Sequence, residues 1–264
     1  MTLGTRVNAR LSPSMKQKVT LVLAWCCTTS WAPPVLAGPP YDTDDPEPVE
    51  YRHWEFYVAS QSLRDRVGFT GTAPHVEVNY GVFPNVQLHV IVPLAYAAPN
   101  RGNDTYGVGD TELGVKLRFI QEQTWIPQVG TFPFLEAPTG SRARGLGNGS
   151  AQIFVPIWLQ KSFGTWTTYG GGGYWRDLGQ NALHWWYLGW LLQKRLVDGF
   201  TLGTEVFHLT QREPGTQRDT RFNLGAIMDF NDEHHLLFSA GRGLTGPIRF
   251  QSYLAYQLTI GPDE

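Results

Sequence analysis

The 264-residue chain has little charge, almost no cysteine and, past residue 40, no long apolar run. Its two cysteines, Cys26 and Cys27, stand side by side near the start, so the rest cannot be a disulfide-stapled module. Charged residues make up 17%, below the ~25% usual for soluble domains, and 21 basic residues nearly balance 23 acidic ones. That balance leaves no electrostatic footprint for nucleic acid. Without a stretch of about 18 apolar residues beyond position 40, and at a mean hydropathy of −0.25, the chain is not a bundle of membrane helices. What is abundant is glycine and aromatic side chain, with 29 Gly, 10 Trp, 11 Tyr and 14 Phe. Such a composition suits a sheet protein with large uncharged surfaces.

The first 37 residues read as an export signal. Lys16 and Lys18 precede the apolar stretch Val19 to Trp25, and Val35-Leu36-Ala37 supplies the small or β-branched residues of a cleavage site. Met15 is the more natural start, because the charged region then lies at the terminus. A membrane anchor is the alternative, but Pro33 and Pro34 interrupt it and the apolar core is short. Removing 1–37 takes away both cysteines and four basic residues, so 17 bases then face 23 acids. The organisation expected is a signal peptide at 1–37, an acidic Pro-rich periplasmic leader at 38–52, and one folded unit at 53–264.

That unit reads as strands throughout. Thr111, Leu113, Val115, Leu117 and Phe119 alternate with Glu112, Gly114, Lys116 and Arg118, which is period two. Phe222, Leu224, Ala226, Met228 and Phe230 alternate in the same way with Arg221, Asn223, Gly225, Ile227 and Asp229. About twelve such segments begin near His53, Ala73, Asn85, Gly109, Trp125, Ala151, Trp166, Leu183, Phe200, Thr220, His234 and Arg249. Their length matches tilted membrane-spanning strands, ~9–11 residues. Connections alternate between short turns (81–85, 121–124, 162–165, 196–199, 231–233) and mostly longer loops (63–71, 97–107, 139–150, 176–181, 211–218, 243–248). This alternation points to an all-β, closed antiparallel transmembrane β-barrel with short periplasmic turns and longer extracellular loops, located in the outer membrane. Closure is required because a strand facing lipid must have its backbone paired on both sides. A soluble sandwich or lipocalin-like barrel also alternates, but with the apolar face inside and a more charged exterior. Trp54, Trp125, Trp158, Trp166, Trp175, Trp185, Trp186 and Trp190 fit interfacial girdles, or core in the soluble alternative.

Several segments resemble a known family: Tyr41-Asp42-Thr43-Asp44-Asp45-Pro46-Glu47-Pro48-Val49-Glu50 with His53-Trp54-Glu55-Phe56-Tyr57, then Gly107 to Lys116, Trp158 to Gly164 and Tyr169 to Trp175. They resemble the exported barrel proteins labelled "MetA-pathway of phenol degradation". The resemblance implies a transporter-like outer-membrane barrel. One departure is the end of the chain, which runs through Ile260 to Gly261-Pro262-Asp263-Glu264 where such barrels commonly finish on an aromatic residue.

By parity Glu55, His75, Glu77, His89, Asp110, Glu112, Lys116, Arg118, Glu136, Glu205, Arg221 and Asp229 point into the lumen. The expected function is passive passage of a small hydrophilic or aromatic solute, with Glu112, Lys116, Arg118, Glu205 and Arg221 as the lumen contacts. The alternatives are a closed structural barrel, plugged by salt bridges across the lumen, and a lipid hydrolase. The hydrolase would need a Ser–His pair on the lipid face, and His208, Ser239 and Ser252 show no linking spacing. No catalytic residue, cofactor or metal is therefore assigned. His234 and His235 are adjacent on a strand and face opposite sides, and Gly170 to Gly173 lacks the Lys-Ser/Thr of a phosphate loop. Those glycines instead permit a bend or close packing inside the barrel. The acidic leader could bind calcium, but reads more simply as a solvated periplasmic tail or a lumen plug. Partners expected are outer-membrane lipid, the solute and the barrel-assembly machinery.

Overall fold

A computed structural model describes residues 39–212, 215 and 217–262; the segment read as a signal peptide lies outside them. The strand segments are β1 (Trp54–Arg64), β2 (Gly68–Phe83), β3 (Val86–Pro99), β4 (Thr105–Val108), β5 (Thr111–Ile120), β6 (Gln128–Thr131), β7 (Phe134–Ala137), β8 (Gln152–Phe163), β9 (Trp166–Asp177), β10 (Trp185–Val197), β11 (Phe200–Leu209), β12 (Asp219–Asp229), β13 (His234–Thr245) and β14 (Phe250–Ile260). β4 and β5 are halves of one crossing, since both pair with β3. β6 and β7 likewise share β5 and β8 as neighbours, on either side of Phe132 and Pro133. Twelve antiparallel crossings result. β1 pairs with β14 from Trp54↔Ile260 to Arg64↔Phe250, which closes the barrel and leaves no sheet edge.

Most boundaries follow the alternation, and three do not. The connection expected at 63–71 shrinks to residues 65–67, because the Asp65 carboxylate accepts from the backbone N–H of Val67 (2.7 Å) and Gly68 (2.9 Å) and tightens the turn. β2 therefore starts at Gly68 rather than Ala73. Ala73 and Pro74 lie inside it at a register shift between Thr72 and His75, where the ladder needs no proline donor. Trp125 starts no strand: it is 91% exposed in the connection 121–127, and β6 begins after Pro127. Finally, the strand from Thr111 extends backward as β4, which shortens the next loop to residues 100–104.

The faces are inverted relative to a soluble protein. Outward-facing Val58, Val155 and Leu188 are each 54% exposed, while Gln193, Asn223 and Gln257 are 1% exposed inside. An apolar exterior around a polar interior is the arrangement a bilayer demands. Phe83, Phe119, Phe163, Trp166 and Phe230 are exposed at the turn end, and Tyr106, Tyr174, Trp186 and Phe250 toward the loop end. These make the aromatic girdles, with phenylalanine prominent at the turn end. Trp158, Trp175 and Trp185 are not part of them. They share parity with Gln152 and Gln160 or lie beside strands that do, and they point inward.

Candidate functional site

The barrel interior is divided in two. Residues 39–50 enter from the turn end and dock along the wall. The strand halves nearer the loops enclose a cavity of about 360 Å³.

Docking of the leader is specific. Asp42 and Thr43 donate their backbone N–H groups to the Glu205 carboxylate at 3.0 and 2.8 Å, and Asn223 Nδ2 donates to the same carboxylate at 2.5 Å. Asp42 in turn accepts from Asn223 (3.2 Å) and Gln251 (3.0 Å). Lys116 Nζ lies 2.9 Å from Asp44 and 3.6 Å from Asp45. Arg118, Gln128 and Gln160 converge on the Glu47 carboxylate at 3.1–3.2 Å. Gln87 accepts from Val49 N at 2.9 Å, and Ser239 donates to the Pro40 carbonyl at 2.6 Å. Asp45 is fully buried; burial pushes its carboxyl well above the usual carboxylate range, and Lys116 pulls it back. Burial also raises Asp42, against the nearby positive charge of Arg221.

Glycines make the track. Inward-facing Gly203 and Gly225 are direct cross-strand partners, and the Tyr41 ring covers them: a Cβ on Gly225 would stand 2.7 Å from the ring, and one on Gly203 would overlap its hydroxyl. A side chain at Gly189 would likewise overlap Thr43, and one at Gly130 would come within 2.9 Å of Pro46. The missing side chains are the space the leader occupies.

Above the leader, the cavity has two unlike walls. One is aromatic: Trp175 stacks on Phe154 at 4.8 Å and on Trp185 at 5.4 Å, and Tyr187 stacks on Phe207 at 5.6 Å. Gly173 lies beneath Phe154 and Gly171 beneath Trp158, so the glycine run of β9 makes room for the rings, in keeping with the close packing expected of it. Phe132 and Phe134 extend this wall. The other wall is acidic. His89 Nε2 sits 2.9 Å from Glu112 and its Nδ1 3.6 Å from Glu77, while Glu136 accepts from Asn148 at 2.9 Å. Pro39, Tyr41, Asp42 and Asp44 of the leader form the floor.

All five residues singled out from the sequence face the interior, but they serve different ends. Lys116, Arg118 and Glu205 hold the leader. Glu112 and Arg221 line the cavity. Arg221 is itself paired with Asp219 at 2.6 Å and donates to Gln251 at 3.0 Å. The aromatic wall escapes a reading by residue type, although the inward parity of Phe154 and Trp158 is its signal. His208 and Ser239 stand on opposite faces of the sheet, so they form no Ser–His pair. His235 turns inward to Asp229 at 2.8 Å, whereas His234 stacks outside on Tyr256. Among the described residues no group of His, Cys, Asp and Glu is placed to hold a metal.

The sequence pattern of the family described as "MetA-pathway of phenol degradation" matches residues 65–257. None of the curated proteins matches the chain. Among solved structures, an outer membrane channel from Pseudomonas putida F1 is similar at TM-score 0.70 and 17% identity, over 83% of this chain and 100% of that one. The KdgM porin in complex with oligogalacturonate is similar at TM-score 0.53 and 9% identity, over 78% of this chain and 98% of that one. The beta domain of the Bordetella autotransporter BrkA gives TM-score 0.52 at 10% identity, over 78% and 99%.

Proposed function

The chain belongs to the family described as "MetA-pathway of phenol degradation", an outer-membrane β-barrel, and from that premise we propose that it lets a small aromatic or hydrophilic solute pass the membrane without an energy source. The observation that carries this reading is the cavity: about 360 Å³, inside a closed barrel, with rings on one side and charge on the other. That is within the ~300–1,000 Å³ range of small-molecule sites. The similar Pseudomonas putida protein is an outer membrane channel and KdgM a porin, which supports passage. In this reading Glu112 and Arg221 meet the solute, while Lys116, Arg118 and Glu205 act on it indirectly through the leader. Residues 1–37 direct export, the short turns face the periplasm, and 38–52 is a leader whose residues 39–50 reach back into the lumen as a displaceable floor. The exterior contacts lipid, and the barrel-assembly machinery inserts the chain. Its work is permeation, with no enzymatic step.

A second reading, a closed structural barrel, draws on the density of bonds between leader and wall. Uptake of a neutral aromatic, 2-(4-hydroxyphenyl)ethanol, into proteoliposomes separates the two. Entry faster than into protein-free vesicles is expected; equal rates would leave the closed barrel standing.

A further inference from the structure

The two walls of the cavity together specify more than size. Glu112 and Glu136 are direct cross-strand partners on β5 and β7, and both side chains line the cavity. Like charges directly opposite repel, and either a proton or a cation between them relieves the repulsion. Glu112 shares the single imidazole of His89 with Glu77, and Glu136 accepts its hydrogen bond from a neutral amide, Asn148. Over the whole lining, Asp42, Asp44, Glu77, Glu112 and Glu136 face Arg212, Arg221 and His89. With all five carboxylates ionised, the balance is negative even with the imidazole protonated. Arg212 lies over the Trp185 ring at 4.9 Å and Arg221 over Phe207 at 5.5 Å, so these aromatic faces already receive cations.

We infer that the cavity selects protonated aromatic amines over aromatic acids of the same size. The ammonium lies at the Glu112–Glu136 pair, the ring packs on the Phe154–Trp175–Trp185 wall, and an anion of equal shape meets the carboxylates instead. This rests on the passage reading above.

Three probes of nearly equal shape test it: tyramine, 4-hydroxyphenylacetate and 2-(4-hydroxyphenyl)ethanol, which differ in charge. In proteoliposomes at pH 7 tyramine is expected to enter about tenfold faster than 4-hydroxyphenylacetate, the ratio that about 1.4 kcal/mol of charge preference produces. In Glu112→Gln/Glu136→Gln the ratio falls toward one. Equal or reversed rates for the two ions, with the neutral probe still entering, overturn the charge assignment and leave passage intact. Entry of none of the three overturns passage itself. Should the double variant fail to fold, the reversal potential of the unaltered protein across a tyramine chloride gradient reads the same selectivity: a cation-selective sign upholds the inference, and an anion-selective or null potential overturns it.

Discussion

Lys116→Met is expected to release the leader from the barrel wall and to raise single-channel conductance several-fold. Lys116 is the buried cation that holds two leader carboxylates, Asp44 at 2.9 Å and Asp45 at 3.6 Å, and Asp45 has no exposure to water. Removing one member of a buried ion pair while keeping the other costs about 3–5 kcal/mol. That shifts docking by roughly two to four orders of magnitude. The cost has a sign with pH. Without Lys116, burial together with the neighbouring Asp44 and Glu47 charges holds the docked Asp45 carboxyl above its free value. A carboxyl raised in the docked state favours docking while protonated and opposes it as pH climbs through that raised value. Conductance of the variant should therefore be larger at pH 8 than at pH 5. Adding Asp44→Asn and Asp45→Asn removes the stranded charges and should restore part of the docking. A Thr43→Cys reporter follows the leader directly, since the natural cysteines, Cys26 and Cys27, lie in the export segment. Unchanged maleimide labelling of that reporter in the Lys116→Met background would refute this role of the lysine.

Gly203→Leu attacks the same docking by shape. The new side chain takes the space of the Tyr41 hydroxyl and abuts Gln193 Cβ at 3.0 Å, so Tyr41 must leave its seat over the Gly203–Gly225 pair. Overpacking of this kind costs about 1–3 kcal/mol. It also pulls Asp42 and Thr43 away from Glu205, whose charge-assisted bonds contribute about 1.5–3 kcal/mol each. The barrel keeps its ladder, because the substitution faces the lumen. Conductance and labelling of the reporter thiol at position 43 should rise, while the temperature of the heat-modifiable gel shift stays put. A fall in that temperature with no change in labelling would mean that Gly203 serves the wall and not the leader.

The barrel is legible in the sequence because its chemistry repeats locally. Between Thr111 and Phe119 every outward residue but the first is large and apolar and the inward ones, Gly114 apart, carry charge, and one bilayer-facing surface is enough to fix that parity. The closure of β14 on β1 follows from the need to pair every lipid-facing strand on both sides, and the even strand count lets that last pairing be antiparallel. Sequence and structure part where local signals conflict with pairing. Gly71 looks like the end of a loop until the Asp65 turn carries β2 back to Gly68, and Trp125 looks like a strand start until Pro127 delays the ladder. Residue type alone assigns Trp158, Trp175 and Trp185 to the girdles, although their parity points inward. The leader is the least legible part. Its partners lie up to 209 residues away in sequence, as with Asp42 and Gln251, and its track is written in glycines. Gly203 and Gly225 acquire meaning only when the register brings them side by side, and Gly189 only when Thr43 lies against it.

Whether the leader limits passage through the barrel is read from the single-channel conductance of the intact protein beside that of a variant lacking residues 39–50, each shown to be folded by heat-modifiable mobility. Small steps are expected from the intact barrel, and steps several times larger without the leader. Equal conductance in the two, or none in either, would contradict a channel whose floor is its own leader.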